Sequence, residues 1–344
     1  MSYSPCADFR QLACVLEKQK PSRPVLFEFM IDESYIRHFA GEGYRPGDTG
    51  NHYDELLCSR ILGYANAGYD FACMHGSLFH FPAKTRDRQQ TVSLNEGAVI
   101  TDRESFDRYP WPNPEDYSTA ALESAAQTLP EGMKLIICLP CGVLENAIAL
   151  AGYENLCIMA YENPKLLGDI FEQIGSRLVR YLRPMLEYPF VGAVMCNDDW
   201  GFRTQTMLSP DMMRRYVFPW HQQMAADAHE KGKYALLHSC GNYDTIIDDV
   251  INVMKFDGRH SYEDNIEPVE KAYPRLSGRI AILGGIDMDY LARSPISEIT
   301  ARCRNMLELA SDGGGYALGS GNSIPPYVPL DNFKAMLRVA LKSR

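Results

Sequence analysis

The chain has 344 residues, of which 46% are hydrophobic and 23% charged, and this composition is typical of a folded globular protein rather than a disordered one. Its formal net charge of −10 argues against a protein that binds duplex nucleic acid, because such a protein needs a basic face. Residues 1–10 lack the basic and apolar regions of a signal peptide, and no apolar run reaches the roughly 18 residues of a membrane span, so we predict a cytoplasmic protein without a membrane partner.

Short apolar runs alternate with longer segments of helical periodicity, a pattern typical of βα units around a parallel sheet. The predicted strands are, in chain order, Val25–Phe29, Asp70–Met74, Lys134–Leu139, Val191–Cys196, Tyr234–His238, Val253–Phe256, Ile280–Gly284 and Gly315–Leu318. The predicted helices include Asn163–Leu186, Pro210–Lys231, Ile296–Leu309 and Leu330–Leu341. The stretch Phe81–Ser118 is polar, rich in Arg, Asp and Pro and poor in helical periodicity, so we predict an elaborated loop there.

Eight parallel strands with intervening helices favour an α/β fold of the (β/α)8 TIM-barrel type, in a single domain over residues 1–344, with the elaborated loop over its mouth. An open doubly wound sheet is the alternative. Barrel enzymes carry their chemistry at the carboxyl ends of the strands. The polar residues at the ends of the predicted strands or after them are Glu28, His75, Cys141, Glu145, Asn197, Asp198, Asp199, His238, Cys240, His260, Glu263, Asp287, Ser320 and Asn322. We therefore predict the active site at this face.

The stretch "LLHSCGN", residues 236–242, places a histidine and a cysteine two positions apart at a predicted strand end. Side chains at i and i+2 of an extended segment point the same way, so His238 and Cys240 can face one point. An imidazole and a thiolate suit zinc, and a catalytic zinc typically keeps three protein ligands and one open position. Without a metal, the same pair would be a packed histidine and a buried free cysteine.

Two further motifs have both a functional and a structural interpretation. In "NDDWG" adjacent residues face opposite ways, so only one of Asp198 and Asp199 is expected to enter the site, as a metal ligand or as a partner that orients His238. A hydrated turn is the other interpretation. His260 can act as a general acid or base near neutrality, or can be a hydrogen-bonded structural histidine.

Several segments resemble the uroporphyrinogen decarboxylase superfamily, within it the cobamide-dependent (corrinoid) methyltransferase branch. They are "NDDWGF", "LSPDMMRRYVFPWHQQM", "HEKGKYALLHSCGN", "LGGIDM" and "SGNSIPPYVPLDNFKAML". The resemblance implies a (β/α)8 barrel and a zinc ion bound by a His-x-Cys pair, matched by His238 and Cys240, and by a cysteine after the eighth strand. At that third position this chain has Asn322, with Ser320 two residues earlier. The arginine-bearing N-terminal signature of the true decarboxylases is absent, since the region reads "VLFEFMIDESYIRHF".

The resemblance therefore implies a zinc-assisted methyltransferase that moves a methyl group between a small methylated substrate, or a thiol or folate acceptor, and a corrinoid (cobalamin) carried on a separate partner protein. In this hypothesis His238 and Cys240 bind the metal. The predicted catalytic residues are Asp198, Asp199 and His260. The predicted substrate-binding residues are Glu28, His75, Glu145, Glu263, Asp287, Ser320 and Asn322. Two alternatives stay open: a metal-free decarboxylase of the uroporphyrinogen type, and a non-catalytic binding barrel that has lost its metal.

Overall fold

The computed structural model describes residues 7–45, 52–83, 94–95 and 97–342, and its centre is one parallel sheet. Seven strands lie in this sheet in the order of the chain, each parallel to the next. They are β1 (Phe71–His75), β2 (Lys134–Cys138), β3 (Val191–Asn197), β4 (Tyr234–His238), β5 (Gly258–His260), β6 (Ala281–Leu283) and β7 (Tyr316–Ala317). All seven residues of β3 are buried, as expected for a parallel strand covered on both faces.

Fourteen α-helices of the described chain connect and surround these strands. They are α1 (Phe9–Leu16), α2 (Glu33–Ala40), α3 (Tyr53–Ala67), α4 (Arg103–Arg108), α5 (Ala120–Ala126), α6 (Val143–Ala151), α7 (Tyr153–Glu162), α8 (Pro164–Leu186), α9 (Pro210–Met212), α10 (Phe218–Glu230), α11 (Val269–Leu276), α12 (Met288–Arg293), α13 (Ile296–Leu309) and α14 (Leu330–Leu341). A π-helical turn over Met213–Val217 joins α9 to α10. No helix among the described residues is both long and apolar enough to cross a membrane.

The segment before α2 takes the eighth position of the barrel beside β7. The amide of Phe27 donates to the carbonyl of Leu318 at 2.8 Å, and the amide of Leu318 donates to the carbonyl of Val25 at 2.8 Å. On the other side, the ring of Phe27 packs against Phe71 of β1 with ring centroids 5.2 Å apart. The predicted first strand thus exists as a bridged extended segment, and the predicted barrel is confirmed.

The predicted sixth strand, Val253–Phe256, is wrong. Val253 ends a π-helical turn over Asp249–Val253 and its surface is 43% exposed, so this apolar run is not in the sheet. The strand at this place is β5, which pairs with β4 through Leu236 and Gly258. Its three residues are Gly, Arg and His, and so short a polar stretch has no apolar run from which a strand is predicted.

The predicted loop Phe81–Ser118 is only partly described, because residues 84–93 and 96 lie outside the described chain. Its described part contains the short helix α4, which the sequence did not predict. Asp102 caps this helix, since its carboxylate accepts a hydrogen bond from the amide of Ser105 at 2.7 Å. A cap of this kind stabilises a helix too short for a periodic apolar pattern to show.

Candidate metal centre at the barrel mouth

The register of three neighbouring strands brings three polar residues side by side at the carboxyl-terminal end of the barrel. Asn197 of β3 is paired with His238 of β4, and His238 is paired with His260 of β5. The ladder continues past the strands, because the amide of Asp198 donates to the carbonyl of His238 at 2.9 Å and that of Ser239 donates to the carbonyl of His260 at 2.8 Å. The backbone that follows His238 is therefore fixed on both sides.

Asp199, His238 and Cys240 form a cluster with one potential metal ligand from each residue. Their ligand atoms all lie within 4.8 Å of one another. Sγ of Cys240 lies 3.6 Å from Nε2 of His238, and Oδ1 of Asp199 accepts a hydrogen bond from the amide of Cys240 at 2.8 Å. One nitrogen, one sulfur and one oxygen ligand suit zinc, which binds such atoms at about 2.0–2.3 Å. These three residues fit a zinc ion with one coordination position open.

Two glycines allow the loops after β3 and β4 to cross next to this cluster. The amide of Gly201 donates to the carbonyl of Cys240 at 3.2 Å, and the amide of Asn242 donates to the carbonyl of Phe202 at 2.7 Å. Gly241 has a φ of +83°, and a Cβ on it would lie 1.9 Å from the carbonyl oxygen of Gly201. The crossing therefore requires glycine at position 241, and it brings Asp199 to Cys240.

Asp198 points away from this cluster although it is adjacent to Asp199. Its carboxylate accepts hydrogen bonds from the amides of Leu144 and Glu145, at 3.0 and 2.9 Å, at the start of α6. Nε2 of His221, which is fully buried, lies 2.9 Å from the same carboxylate. The contacts of Asp198 are those of a helix cap with a histidine partner, so our metal hypothesis retains Asp199 alone.

The thiol of Cys240 lies among acceptors and two donors, the amide of Asn322 and, at 4.0 Å, the hydroxyl of Ser261. Burial and then the negative charge of Asp199 raise the pKa of this thiol well above its ordinary value. Nδ2 of Asn322 donates a hydrogen bond to Sγ of Cys240 at 3.2 Å and moderates that rise. The orientation of this amide is fixed, because Oδ1 of Asn322 accepts from the amide of Ser323 at 2.8 Å. A metal cation would reverse the electrostatics and favour the thiolate.

Three predicted site residues lie behind His238 and are fully buried: Glu28, His260 and Ser320. Nδ1 of His260 lies 2.7 Å from Nδ1 of His238, and the ring of Phe29 stacks on His238 at a centroid distance of 4.3 Å. Burial lowers the pKa of His260 to about 4 and raises that of Glu28 to about 8. These contacts are those expected of a hydrogen-bonded structural histidine, and the role of His260 as a general acid or base stays a prediction.

A cavity of about 870 Å³ opens at the same end of the barrel, and one predicted substrate-binding residue, His75, lines it. Ser323, which follows Asn322, also lines it and connects the cavity to the surroundings of Cys240. The lining is mainly apolar, with a few polar and charged groups that include Tyr53, Arg60 and Cys141. Burial lowers the pKa of His75, which is therefore neutral at neutral pH.

Three other predicted substrate-binding carboxylates accept hydrogen bonds from the backbone. Glu145 accepts from the amide of Gly142 at 3.0 Å, and Glu263 accepts from the amide of Gly241 at 3.2 Å. Asp287 caps α12 through the amide of Tyr290 at 3.0 Å. Burial and the charges of Asp198 and Asp199 raise the pKa of Glu145 to about 8. These contacts indicate that the three carboxylates shape the loops around the mouth.

A family model for uroporphyrinogen decarboxylase (URO-D) matches residues 89–342, which is more than half of the chain. The chain belongs to the uroporphyrinogen decarboxylase family. The match includes the strand ends that carry Asp199, His238, Cys240 and Asn322. The family predicted from the sequence segments is confirmed.

Within this family the chain is similar to curated methyltransferases. It is 29% identical over 174 residues to the "Methylcobamide:CoM methyltransferase MtaA" of Methanosarcina barkeri, and 26% identical over 174 residues to the protein of the same name from the Fusaro strain. The matched region covers 49% of this chain and 48% of each relative. The chain thus spans about half the length of the curated relatives that it matches.

Two solved structures show the same fold. A methyltransferase from Methanosarcina mazei superposes with a TM-score of 0.69 at 17% identity, over 96% of this chain and 97% of the other. A putative vitamin-B12-independent methionine synthase from Listeria monocytogenes gives a TM-score of 0.51 at 12% identity, over 93% and 99%. Identities this low establish the fold alone.

Two residues near the barrel mouth were not predicted from the sequence. His221 lies in a helix of ordinary amphipathic pattern, where nothing in the sequence indicated that it would meet Asp198. Arg60 lies on α3, between predicted strands, and lines the cavity with its guanidinium 3.6 Å from Glu33. Both lie on helices, and they are therefore not among the residues at strand ends.

Proposed function

We propose that this chain is a zinc-dependent methyltransferase that moves a methyl group between a small substrate and a corrinoid carried on a separate protein. The observation that carries the proposal is the convergence of Asp199, His238 and Cys240 at the barrel mouth. The similarity to relatives named methylcobamide methyltransferases supports the reaction class. In this proposal Asp199 supplies the third metal ligand. The resemblance assigns that ligand to a cysteine at the position where this chain has Asn322.

The residues of the chain have separate roles in this proposal. Asp199, His238 and Cys240 hold the metal, which when bound acts as a Lewis acid that lowers the pKa of a thiol acceptor or polarises the heteroatom of a methylated donor. Asn322 donates a hydrogen bond to Sγ of Cys240 and so favours its thiolate form. The cavity lined by His75 and Ser323 would receive the small substrate, and it adjoins the cluster through Asn322, which precedes Ser323 and contacts Cys240.

The test is methyl transfer from free methylcobalamin to coenzyme M, homocysteine or tetrahydrofolate, catalysed by the zinc-loaded chain. In transfer to a thiol, the cobalt–carbon bond breaks, the sulfur–carbon bond forms, the thiol proton is released and the electron pair stays on the cobalt. We expect loss of the methylcobalamin absorbance with at least one acceptor, and loss of that activity in His238→Ala. Full transfer by a folded His238→Ala chain would contradict the proposal.

A parallel incubation with a porphyrinogen distinguishes the decarboxylase alternative. We expect no release of carbon dioxide, because Arg60 is the one arginine and there is no lysine among the described residues that line the cavity, whereas a substrate with several carboxylates needs several cationic partners. Carbon dioxide release that is unchanged in His238→Ala, together with no methyl transfer, would replace the methyltransferase by a decarboxylase. Stoichiometric ligand binding without either reaction would favour a non-catalytic barrel.

A further inference from the structure

A series of buried hydrogen-bonded groups extends from the barrel interior to the proposed metal ligand His238. Glu28, Ser320 and His260 have no exposed surface, and His238 is 5% exposed. Nε2 of His260 lies 3.1 Å from the carbonyl oxygen of Ser320, and Nδ1 of His260 lies 2.7 Å from Nδ1 of His238. No role for this series follows from the proposed reaction alone, yet each of its contacts constrains where a hydrogen atom can be.

The first constraint concerns His260. A carbonyl oxygen only accepts hydrogen bonds, so Nε2 of His260 must carry a hydrogen and donate it to Ser320. The fully buried ring of His260 lies 5.4 and 6.3 Å from the rings of Phe27 and Phe29, and burying a charged imidazole among apolar side chains is costly, so the ring is neutral. A neutral imidazole carries one hydrogen, so Nδ1 of His260 is bare and acts as an acceptor.

The second constraint follows for His238. Because the facing Nδ1 of His260 is an acceptor, Nδ1 of His238 must carry the hydrogen of their 2.7 Å contact. Nε2 of His238 is then the bare nitrogen, and it is the one that lies 3.6 Å from Sγ of Cys240. We propose that His260 is a positioning residue that holds His238 in the tautomer with a bare Nε2, ready to bind a metal ion.

Glu28 fixes the far end of the series. Oγ of Ser320 lies 2.6 Å from the carbonyl oxygen of Asn322 and 2.7 Å from Oε2 of Glu28. The single hydroxyl hydrogen goes to the carbonyl, which cannot donate, so Glu28 must be protonated and donate to Oγ. Oε1 of Glu28 accepts from the amide of Ser320 at 2.7 Å. The neutral carboxylic acid thus orients the same Ser320 backbone whose carbonyl selects the tautomer of His260.

The first test is nitrogen-15 NMR of the imidazole rings in the metal-free full chain, with signals assigned from His238→Gln and His260→Gln spectra. We expect hydrogen on Nδ1 of His238 and on Nε2 of His260. Hydrogen on Nε2 of His238, or a mixture of its two tautomers, would overturn the inference. This readout needs neither activity nor bound metal, so it can fail or succeed independently of the proposed function.

The second test is zinc affinity of His260→Leu beside His260→Gln, with His229→Leu as a control. His229 lies on α10, and its Nε2 is hydrogen-bonded to Oδ2 of Asp257 at 2.8 Å. Loss of the acceptor in His260→Leu should weaken zinc binding by about ten- to a hundredfold, because partners that orient a ligating histidine have effects of this size. Gln keeps an acceptor oxygen and should restore part of the affinity, whereas the control should be unchanged.

The inference rests on the proposed function only in making His238 a metal ligand. Unaltered zinc affinity in a folded His260→Leu chain would overturn the positioning role while leaving the metal site intact. If the unaltered chain binds no zinc, the proposed function fails and the NMR result alone decides the tautomer. Should His260→Leu not fold, the spectra of the unaltered chain remain decisive.

Discussion

Adjacent carboxylates at the end of β3 have different surroundings, and at the residue scale this difference matters most. Asp198 accepts two backbone amides of α6 and contacts the buried His221. Asp199 contacts the amide of Cys240 and belongs to the cluster with His238. One residue therefore stabilises the helix, and the other is available to a metal. The pair gives a matched set of substitutions.

We predict that Asp199→Asn weakens zinc binding by at least about tenfold with little change in thermal stability, because it removes a charged oxygen ligand. Asp198→Asn should leave zinc affinity near its original value and lower the free energy of unfolding by about 1–3 kcal/mol, since an amide hydrogen would face buried donors. Zinc titration against a chromophoric chelator and thermal unfolding measure the two effects. The opposite pattern would place the ligand on Asp198.

Glu28 gives a prediction about pH. Burial raises its pKa from the ordinary 4.5 to about 8, so between these values the unfolded chain loses a proton that the folded chain keeps. Stability from this group is complete below about pH 4.5 and is lost as the pH rises to about 8. In Glu28→Gln the uncharged amide replaces the carboxylic acid, and stability should fall less steeply between pH 5 and pH 8.

The measurement is urea unfolding of both proteins at several pH values in this window. Glu145 also has a raised pKa, but it is present in both chains, so the difference between their slopes isolates Glu28. Equal slopes of stability against pH would mean that Glu28 is ionised in the folded chain. The hydrogen bond that protonated Glu28 donates to Oγ of Ser320 would then be wrong.

At the scale of elements, the loops that follow β3 and β4 depend on one close crossing. Gly241→Ala places a methyl group 1.9 Å from the carbonyl oxygen of Gly201 and in a left-handed backbone conformation. We expect a loss of at least about 1 kcal/mol of stability, because a side chain at such a position is strained, and weaker zinc binding as Asp199 and Cys240 separate. Gly278→Ala is the control, since nothing lies within 4 Å of its added Cβ. Zinc titration of both variants is the measurement, and an unchanged affinity in Gly241→Ala would show that the crossing does not hold the cluster.

Among the elements of the fold, some strands could be predicted from the sequence and others could not. Apolar runs located β1 to β4 within a residue or two, because a strand buried on both faces needs continuous apolar side chains. The prediction at Val253–Phe256 failed because a four-residue stretch with three apolar side chains, interrupted by Lys255, fits a helical turn as well as a strand. β5 could not be found in this way, since its side chains include Arg259 and His260 and its place depends on pairing with β4.

At the scale of the whole molecule, the barrel explains why the polar residues at strand ends include the candidate metal ligands, and why the sequence does not indicate which of these residues meet. Parallel strands bring all carboxyl ends to one face, so His238, Cys240 and Asp199 were among the candidates. Which residues meet depends on loop crossings and on burial behind the mouth, as Glu28 and His260 show. Sequence spacing carries no information about these tertiary contacts.

The measurement that tests the central claim most directly is the zinc content of the chain purified without chelators, by mass spectrometry, beside a His238→Ala/Cys240→Ala control. We predict about one zinc per chain, absent from the control and restored to the unaltered chain alone by titration. Zinc retained in the folded control, or an unaltered chain that binds no zinc even when titrated, would contradict the metal site and the methyl transfer that depends on it.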